Sequence, residues 1–302
     1  MTQVPLSRID LTDESFKLSY GRDNGRLRSS IRAAGIIEPV VLLDRKPYIP
    51  VVGLRRLDCA RSLRMRSIPA IIVDVPEKEA LLRAIHANIE RGYNTIEKAN
   101  ILAKTNNLGF SRTDILAFMT ELDLDPHEKV LDIFLALAGL APLYKDFIFR
   151  NSMSLRNIGS FLRFDTGERK RIVRSLAGLH LTESIVRETF EMLQIIKIRK
   201  GKLTGKDIPA FPNTETLRAH LKKRTYPILT SLTRKLKAIR DKMATPPGID
   251  IRVDPFFEKE YIDLVLRIKD NDDIRTALAK ISGLADAGYL GSILDLTKGT
   301  IR

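Results

Sequence analysis

Residues 51–75 read VVGLRRLDCARSLRMRSIPAIIVDV. Gly53 is followed at once by Leu54 and the pair Arg55–Arg56, then by a helix-like run carrying Arg61, Arg64 and Arg66, then by a strand-like PAIIVDV. A Gly at a strand-to-helix junction lets the backbone approach a ligand closely. The first turn of a helix offers unpaired N–H groups and a partial positive charge. Two guanidinium forks at that point match the oxygens of a phosphate. The stretch therefore predicts a strand, a Gly turn that cradles phosphate, a helix over about 54–65 and a second strand. The competing reading is a surface helix with a solvated Arg face.

Working outward, residues 1 to about 95 alternate strand and helix signals. PLSRIDL (5–11) is a strand candidate. GRLRSSIRAAG (25–35) spaces Leu27 and Ile31 four apart and ends at Gly35, a natural residue beyond a helix C-terminus. IEPVVLL and YIPVVG flank the short link DRKP, which predicts a hairpin. A helix from about Glu77 to Glu90 carries Leu81, Ala84, Ile85 and Ile89 on one face. From about Thr95 to Lys197 strand signals fade into short helices divided by breakers, one opening on Ser111 with Asp114 three residues on. KIRKGKLTGKDIPAFPN (197–213) reads as a linker, rich in Lys, Gly and Pro and without periodicity. Helical spacing then returns, with Pro227 expected to kink or restart the helix. IDIRVD and YIDLVLRI follow as strands, and a helix near Asp272–Ile281 after them. In the second strand Ile262, Leu264, Leu266 and Ile268 are expected to line one face, with Val265 on the other.

The chain has 302 residues and a formal charge of +14. That excess favours a polyanionic partner: nucleic acid, an acidic membrane surface or a phosphorylated ligand. No apolar run is long enough for a bilayer, and the N-terminus lacks a signal-peptide pattern. One cysteine, Cys59, permits no intramolecular disulfide and fits a reducing cytoplasm. Its apolar neighbours Leu57, Ala60 and Leu63 make it a small buried side chain rather than a reactive thiol. His86, His127, His180 and His220 lack metal-ligand spacing, and no Ser/His/Asp arrangement is present.

Three blocks carry a family resemblance. GLRRLDCARSLRMRSIPAIIVD (53–74) is similar to the Gly-Glu-Arg-Arg signature of ParB-type plasmid and chromosome partition proteins. ANIERGYNTIEKAN (87–100) is similar to that family's Glu-Asn-x-x-Arg block, and LRSSIRAAGIIEPVVL (27–42) to its Ser-Ile…Gly…Pro-Val run. The resemblance implies three domains: residues 1–95 an α/β ParB/sulfiredoxin-like nucleotide-binding domain, 96–205 an all-α, helix-turn-helix-like DNA-binding domain, and 206–302 a small α+β domain that serves dimerisation. It implies a nucleoside triphosphate, CTP, as a switch, held by Gly53, Arg55, Arg56, Asn88 and Arg91. It also implies DNA as partner, a homodimer, a partition ATPase and a cytoplasmic, nucleoid-associated location.

Two positions depart from the family pattern. Leu54 and Ala87 stand where the family has carboxylates that serve metal and hydrolysis. Mg²⁺ loses hard oxygen ligands and an attacking water loses its orienter, so turnover is expected to be slow or absent. In the helix-turn-helix region, FSRTDILAFM and DPHEKVLDIFLALAGL are the two helix candidates, but the second exposes His127, Glu128, Lys129 and Asp132, a partly acidic face. Backbone contact with DNA is expected instead from Arg169, Lys170, Arg171 and Arg174, with Lys197, Arg199, Lys200 and Lys202 beyond them. Two other readings stay open: an enzyme on the same scaffold (nucleotide hydrolase, nuclease or small-molecule kinase), and a scaffold that recruits proteins.

Overall fold

The computed structural model describes residues 1–243 and 247–299. It opens with strand β1 (Thr2–Pro5) and a 3-10 turn at Leu6–Arg8. Then come α1 (Gly25–Ala34), β2 (Val40–Leu43), β3 (Ile49–Val52), α2 (Leu54–Ser62), β4 (Ser67–Val73) and α3 (Glu77–His86). The four strands lie in the order β1-β4-β2-β3. β2 runs parallel to β4, and the two outer pairs are antiparallel. Val40, Leu42, Ile68 and Ala70 are completely buried, together with Ile31 of α1 and Leu57 and Ala60 of α2. The expected hairpin is β2–β3. Gly35, at φ 72°, closes α1 as its composition suggested.

Three details differ from expectation. The helix expected over about Glu77 to Glu90 ends at His86, so Ile89 lies outside it. PLSRIDL is not a strand. Pairing with β4 ends at Pro5, the chain enters the 3-10 turn, and only Ile9 rejoins the sheet as an isolated bridge to Tyr48. α2 stops three residues early because Arg64 adopts the left-handed conformation, φ 55°, and the Met65 amide turns back to the Ala60 carbonyl.

Helices α4 (Thr95–Asn107), α5 (Arg112–Glu121), α6 (Glu128–Ala138), α7 (Pro142–Arg150), α8 (Leu155–Leu162), α9 (Thr166–Leu176) and α10 (Glu183–Lys200) follow. Their starts are written locally. Asn94 and Glu97 form a reciprocal capping box, as do Asp165 and Glu168, while Ser111 and Ser154 cap singly. An aromatic cluster of Tyr144, Phe147, Phe161, Phe164 and Phe190 fills the centre of the later helices.

The chain forms two compact units, residues 1–190 and 191–302. In the second lie α11 (Thr214–Thr225), α12 (Pro227–Lys242), the antiparallel pair β5 (Ile249–Val253) and β6 (Ile262–Leu266), α13 (Asn271–Asp286) and α14 (Tyr289–Thr297). Leu236, Met243, Ile249, Ile251, Ile293 and Leu296 make its core. Pro227 begins α12, so of the two outcomes expected there the helix restarts. The expected apolar stripe of β6 divides: Ile262 and Leu266 pack on the core, whereas Leu264 and Ile268 are 38% and 42% exposed.

The segment 197–213 is not a free linker. Residues 197–200 are still helix, and Leu203 and Ile208 are buried. Asp207 is fully buried and takes Lys200, Arg224 at 2.8 Å, and both the amide and hydroxyl of Thr204. These contacts hold its pKa at about 2: burial pushes the carboxyl up, and the Lys200 and Thr204 hydrogen bonds override it. A Lys- and Gly-rich composition conceals such an anchor because one acid decides it. Among the described residues, no helix is long and apolar enough to cross a membrane.

Candidate functional site

A cavity of about 700 Å³, open mouth included, lies at the N-terminus of α2. Its lining contains all five residues singled out for the phosphates, Gly53, Arg55, Arg56, Asn88 and Arg91, together with Ser19, Leu27, Glu38 and Leu54. Gly53 is the N-cap of α2 with φ 93° and ψ 22°. A Cβ there would come within 2.9 Å of Val40 Cγ1 and 3.0 Å of Arg56 Nε. Only glycine allows this turn to carry an Arg side chain folded back across it.

The two arginines are already engaged. Arg55 donates from Nε to Asn24 Oδ1 and from Nη2 to the Asp23 carbonyl, both at 2.7 Å. Arg56 donates from Nη1 to the Glu38 and Pro39 carbonyls, and pairs with the Glu38 carboxylate at 3.2 Å. These bonds aim the forks without exhausting them, since a guanidinium has five N–H groups. The Glu38 side chain is 83% exposed, so its pair with Arg56 is screened and weak. Burial pulls the Arg56 pKa below its ordinary value, with Glu38 only partly restoring it. A partly desolvated cation facing a cavity gains from an anion that replaces its lost water.

Also in the lining, Asn88 donates to the Ala84 carbonyl at 3.0 Å and accepts from Arg91 Nε at 3.0 Å. Arg91 also lies against the ring of Tyr93 and reaches Glu97 at 3.4 Å. Glu97 is the hub that the sequence did not announce. Its side chain is inaccessible, yet its oxygens accept from Arg22 Nε and Nη2 at 2.7 Å, from the Tyr20 amide and from the Asn94 amide. Burial raises its pKa, but these donors, Arg22 foremost, bring it below the usual carboxylate value. As N3 of a capping box, Glu97 is legible from Asn94-x-x-Glu97. Its ion pair with Arg22, 75 residues away, is visible only in three dimensions.

Among the described residues that line the cavity the one carboxylate is Glu38. Leu54 lines the cavity where an acid would be needed, Ala87 is exposed, Glu90 is exposed and outside the lining, and Glu38 faces Arg56. This donor set fits a polyphosphate and does not fit Mg²⁺ held by the protein. Cys59 is buried, and burial pushes its thiol pKa up, the behaviour of a packing residue.

The residues expected at a DNA backbone divide between the two units. On α9, Lys170, Arg171 and Arg174 are exposed, but Arg169 is half-buried and donates to the Leu162 carbonyl at 2.9 Å. In the second unit, Arg199 donates to the Arg224 and Thr225 carbonyls at the end of α11, and Lys200 is bound to Asp207. Lys197 is half-buried and Lys202 exposed. The α5–α6 pair is present with its six-residue turn. Leu131, Phe134 and Leu137 bury one side of α6, and Arg112 of α5 pairs with Glu128 and Asp132 on the outward side. That face turns carboxylates outward and gives few donors to a base edge.

Comparison with known proteins completes these findings. Residues 22–89 match the family model described as the ParB N-terminal domain. Over 212 residues the chain is 26% identical to a nucleoid occlusion protein of Listeria monocytogenes, covering 68% of this chain and 72% of that protein. It is 30% identical over 119 residues to a probable chromosome-partitioning protein ParB of Coxiella burnetii, covering 35% of this chain and 41% of that one. Two crystal structures of C-terminally truncated chromosome-partitioning protein ParB from Caulobacter crescentus also overlap it. The one complexed to the centromeric parS site gives 13% identity and a TM-score of 0.33, covering 62% of this chain and all of that one. The one complexed with CTP-gamma-S gives 14% and 0.27, covering 58% of this chain and 98% of that one. Overlaps this loose carry no geometry to the present site.

Proposed function

We propose that this chain is a DNA-binding protein of the ParB type, a reading supported by the match of residues 22–89 to the model of the ParB N-terminal domain. It acts in DNA segregation or its regulation, with a nucleoside triphosphate, CTP, as switch and with slow or absent hydrolysis. One observation carries the reading: a single cavity at the Gly53 turn gathers Arg55, Arg56, Asn88 and Arg91 around the N-terminus of α2. Free helix N–H groups, a Gly turn and three guanidinium forks are the chemistry of polyphosphate recognition. The wall residues Leu18, Leu27 and Val51 give the rest of a nucleotide an apolar surface. Gly53, Arg55 and Arg56 take the phosphates, and Asn88 and Arg91 close the other side.

Residues 1–95 are the nucleotide-binding part, 96–205 the helical part that meets DNA, and 206–302 the part that pairs two copies. The relatives named for chromosome partitioning and nucleoid occlusion favour a DNA partner and a place at the nucleoid. A partner ATPase accompanies this reading. The missing acids at Leu54 and Ala87 weigh against the hydrolase alternative.

Isothermal titration with CTP, ATP, GTP and UTP, with and without duplex DNA, tests the proposal. Saturable CTP binding with little phosphate release is the expected result. Arg55→Ala combined with Arg56→Ala weakens it at least about a hundredfold, since two charge-assisted contacts of roughly 1.5–3 kcal/mol each are lost. Absence of any nucleotide binding refutes the switch, and rapid turnover refutes the inactive-site reading.

A further inference from the structure

The charge of this chain is not spread evenly. Residues 197–243 hold fourteen Lys or Arg and three Asp or Glu, a formal +11 of the chain's +14. The rest of the second unit runs the other way: residues 247–299 hold seven Lys or Arg and ten Asp or Glu. Within the basic segment one of the three acids, Asp207, is fully buried and consumed by Lys200 and Arg224. Arg199 is fixed on carbonyls at the end of α11, and Arg240 on the Ile251 carbonyl. The solvent-facing cations left on the two helices include Lys223 on α11 and Arg234, Lys237 and Lys242 on α12. All four are exposed, and none is ion-paired among the described residues. On α12, Arg234 and Lys237 lie opposite Leu232, Leu236 and Ile239, which face the core.

From this we infer that the outward faces of α11 and α12 are a contact surface for the phosphate backbone of duplex DNA, a site beyond those placed on α9 and on residues 197–202. The inference rests on the DNA-binding reading and says where in the chain the contact is made. Like charges held this close repel one another, and a polyanion relieves that repulsion while releasing its own counterions. Cations on successive turns of α12 recur about every 5 Å along its axis, a spacing of the same order as phosphates along a strand.

The same surface fits other polyanions less well. A membrane-surface helix needs an apolar face for the lipid. Here Leu217 and Leu221 of α11 and Leu236 of α12 are buried in the protein, which leaves Ile228 as an isolated exposed side chain. Single strands are gripped by stacking on aromatic rings. Tyr226, between the two helices, is the one exposed aromatic among the described residues 197–243. Without donors arranged on base edges, the contact is independent of sequence.

The test uses the full chain, a random-sequence duplex and a salt series. Wild-type protein is expected to lose affinity steeply with salt. R234Q/K237Q lowers the slope of log affinity against log salt by about 2, close to one unit per phosphate contact removed. R234E/K237E and K223E/K242E bind at least about tenfold more weakly at moderate salt, with no loss of melting temperature. Wild-type affinity and slope in all these variants overturn the inference. If K170E/R174E on α9 then loses binding, the DNA reading survives without it. Absence of duplex binding by the wild-type chain refutes the DNA reading itself. Capture by phosphatidylserine-containing vesicles in place of duplex assigns the surface to lipid and overturns the inference.

Discussion

Gly53 sits at φ 93°, where a residue with a Cβ pays a backbone cost, and its neighbours leave no room for one. Gly53→Ala should therefore destabilise the first unit by roughly 1–3 kcal/mol through strain and the clash with Val40. It should also displace Arg56, whose Nε lies 3.0 Å from the added carbon. The check is a urea titration beside a CTP titration, where stability and affinity are expected to fall together. Arg55→Ala, by contrast, removes a guanidinium from the cavity and its bond to Asn24 while leaving the turn intact. Affinity should fall more than stability. The distinction between a residue that shapes the cradle and one that fills it could be stated from the GLRR stretch. The internal partners of the two arginines, Asn24 and Glu38, could not.

At the level of elements, the start of α4 is tied to the strand-free segment 20–24 through Glu97. Tyr20 and Arg22 converge on it, and the Tyr20 hydroxyl also donates to Asp146 of α7 at 2.6 Å. Glu97→Gln keeps the shape but leaves Arg22 and Arg91 beside an uncharged group, at a cost of about 3 kcal/mol. Because the folded-state pKa of Glu97 is depressed, its contribution is complete above the unfolded carboxyl range. It is lost as pH falls through the lower folded value. Denaturation midpoints measured at neutral and acid pH check this: the variant should be less stable at neutrality, and the difference should shrink on acidification. Helix starts such as Ser111 and Pro227 were legible because capping is a matter of residues a few positions apart. The strand expected over PLSRIDL failed because its pairing with β4 ends at Pro5, a limit set by a partner some 65 residues on. α14 went unpredicted. Its buried residues Leu290, Ile293 and Leu296 are a short apolar set whose role appears only once β5 and α12 supply the other side of the core.

Across the whole molecule, the concentration of +11 of the formal +14 in residues 197–243 implies stored repulsion in the second unit. Added salt should raise its melting temperature between low and moderate ionic strength as screening sets in, and R234E/K237E should reduce that dependence. Scanning calorimetry over a salt series measures both. A melting temperature indifferent to salt would mean that the charges are already balanced in the fold.

The sequence by itself determined most of the helices and strands and the Gly53 turn, through local periodicity and turn chemistry, and its net charge favoured a polyanionic partner. The set of five residues that meet around the cavity came from the family resemblance of three sequence blocks, with only Gly53, Arg55 and Arg56 also marked by their local chemistry. Only the tertiary structure decided that Glu97 holds Arg22 and Arg91, that Asp207 turns an apparent linker into a packed loop, and which cations remain outward after others are bound within the fold. Those outcomes depend on pairings between residues distant in the chain. Burial, by removing water, decides which charges must find a partner inside the protein and which stay available to a ligand.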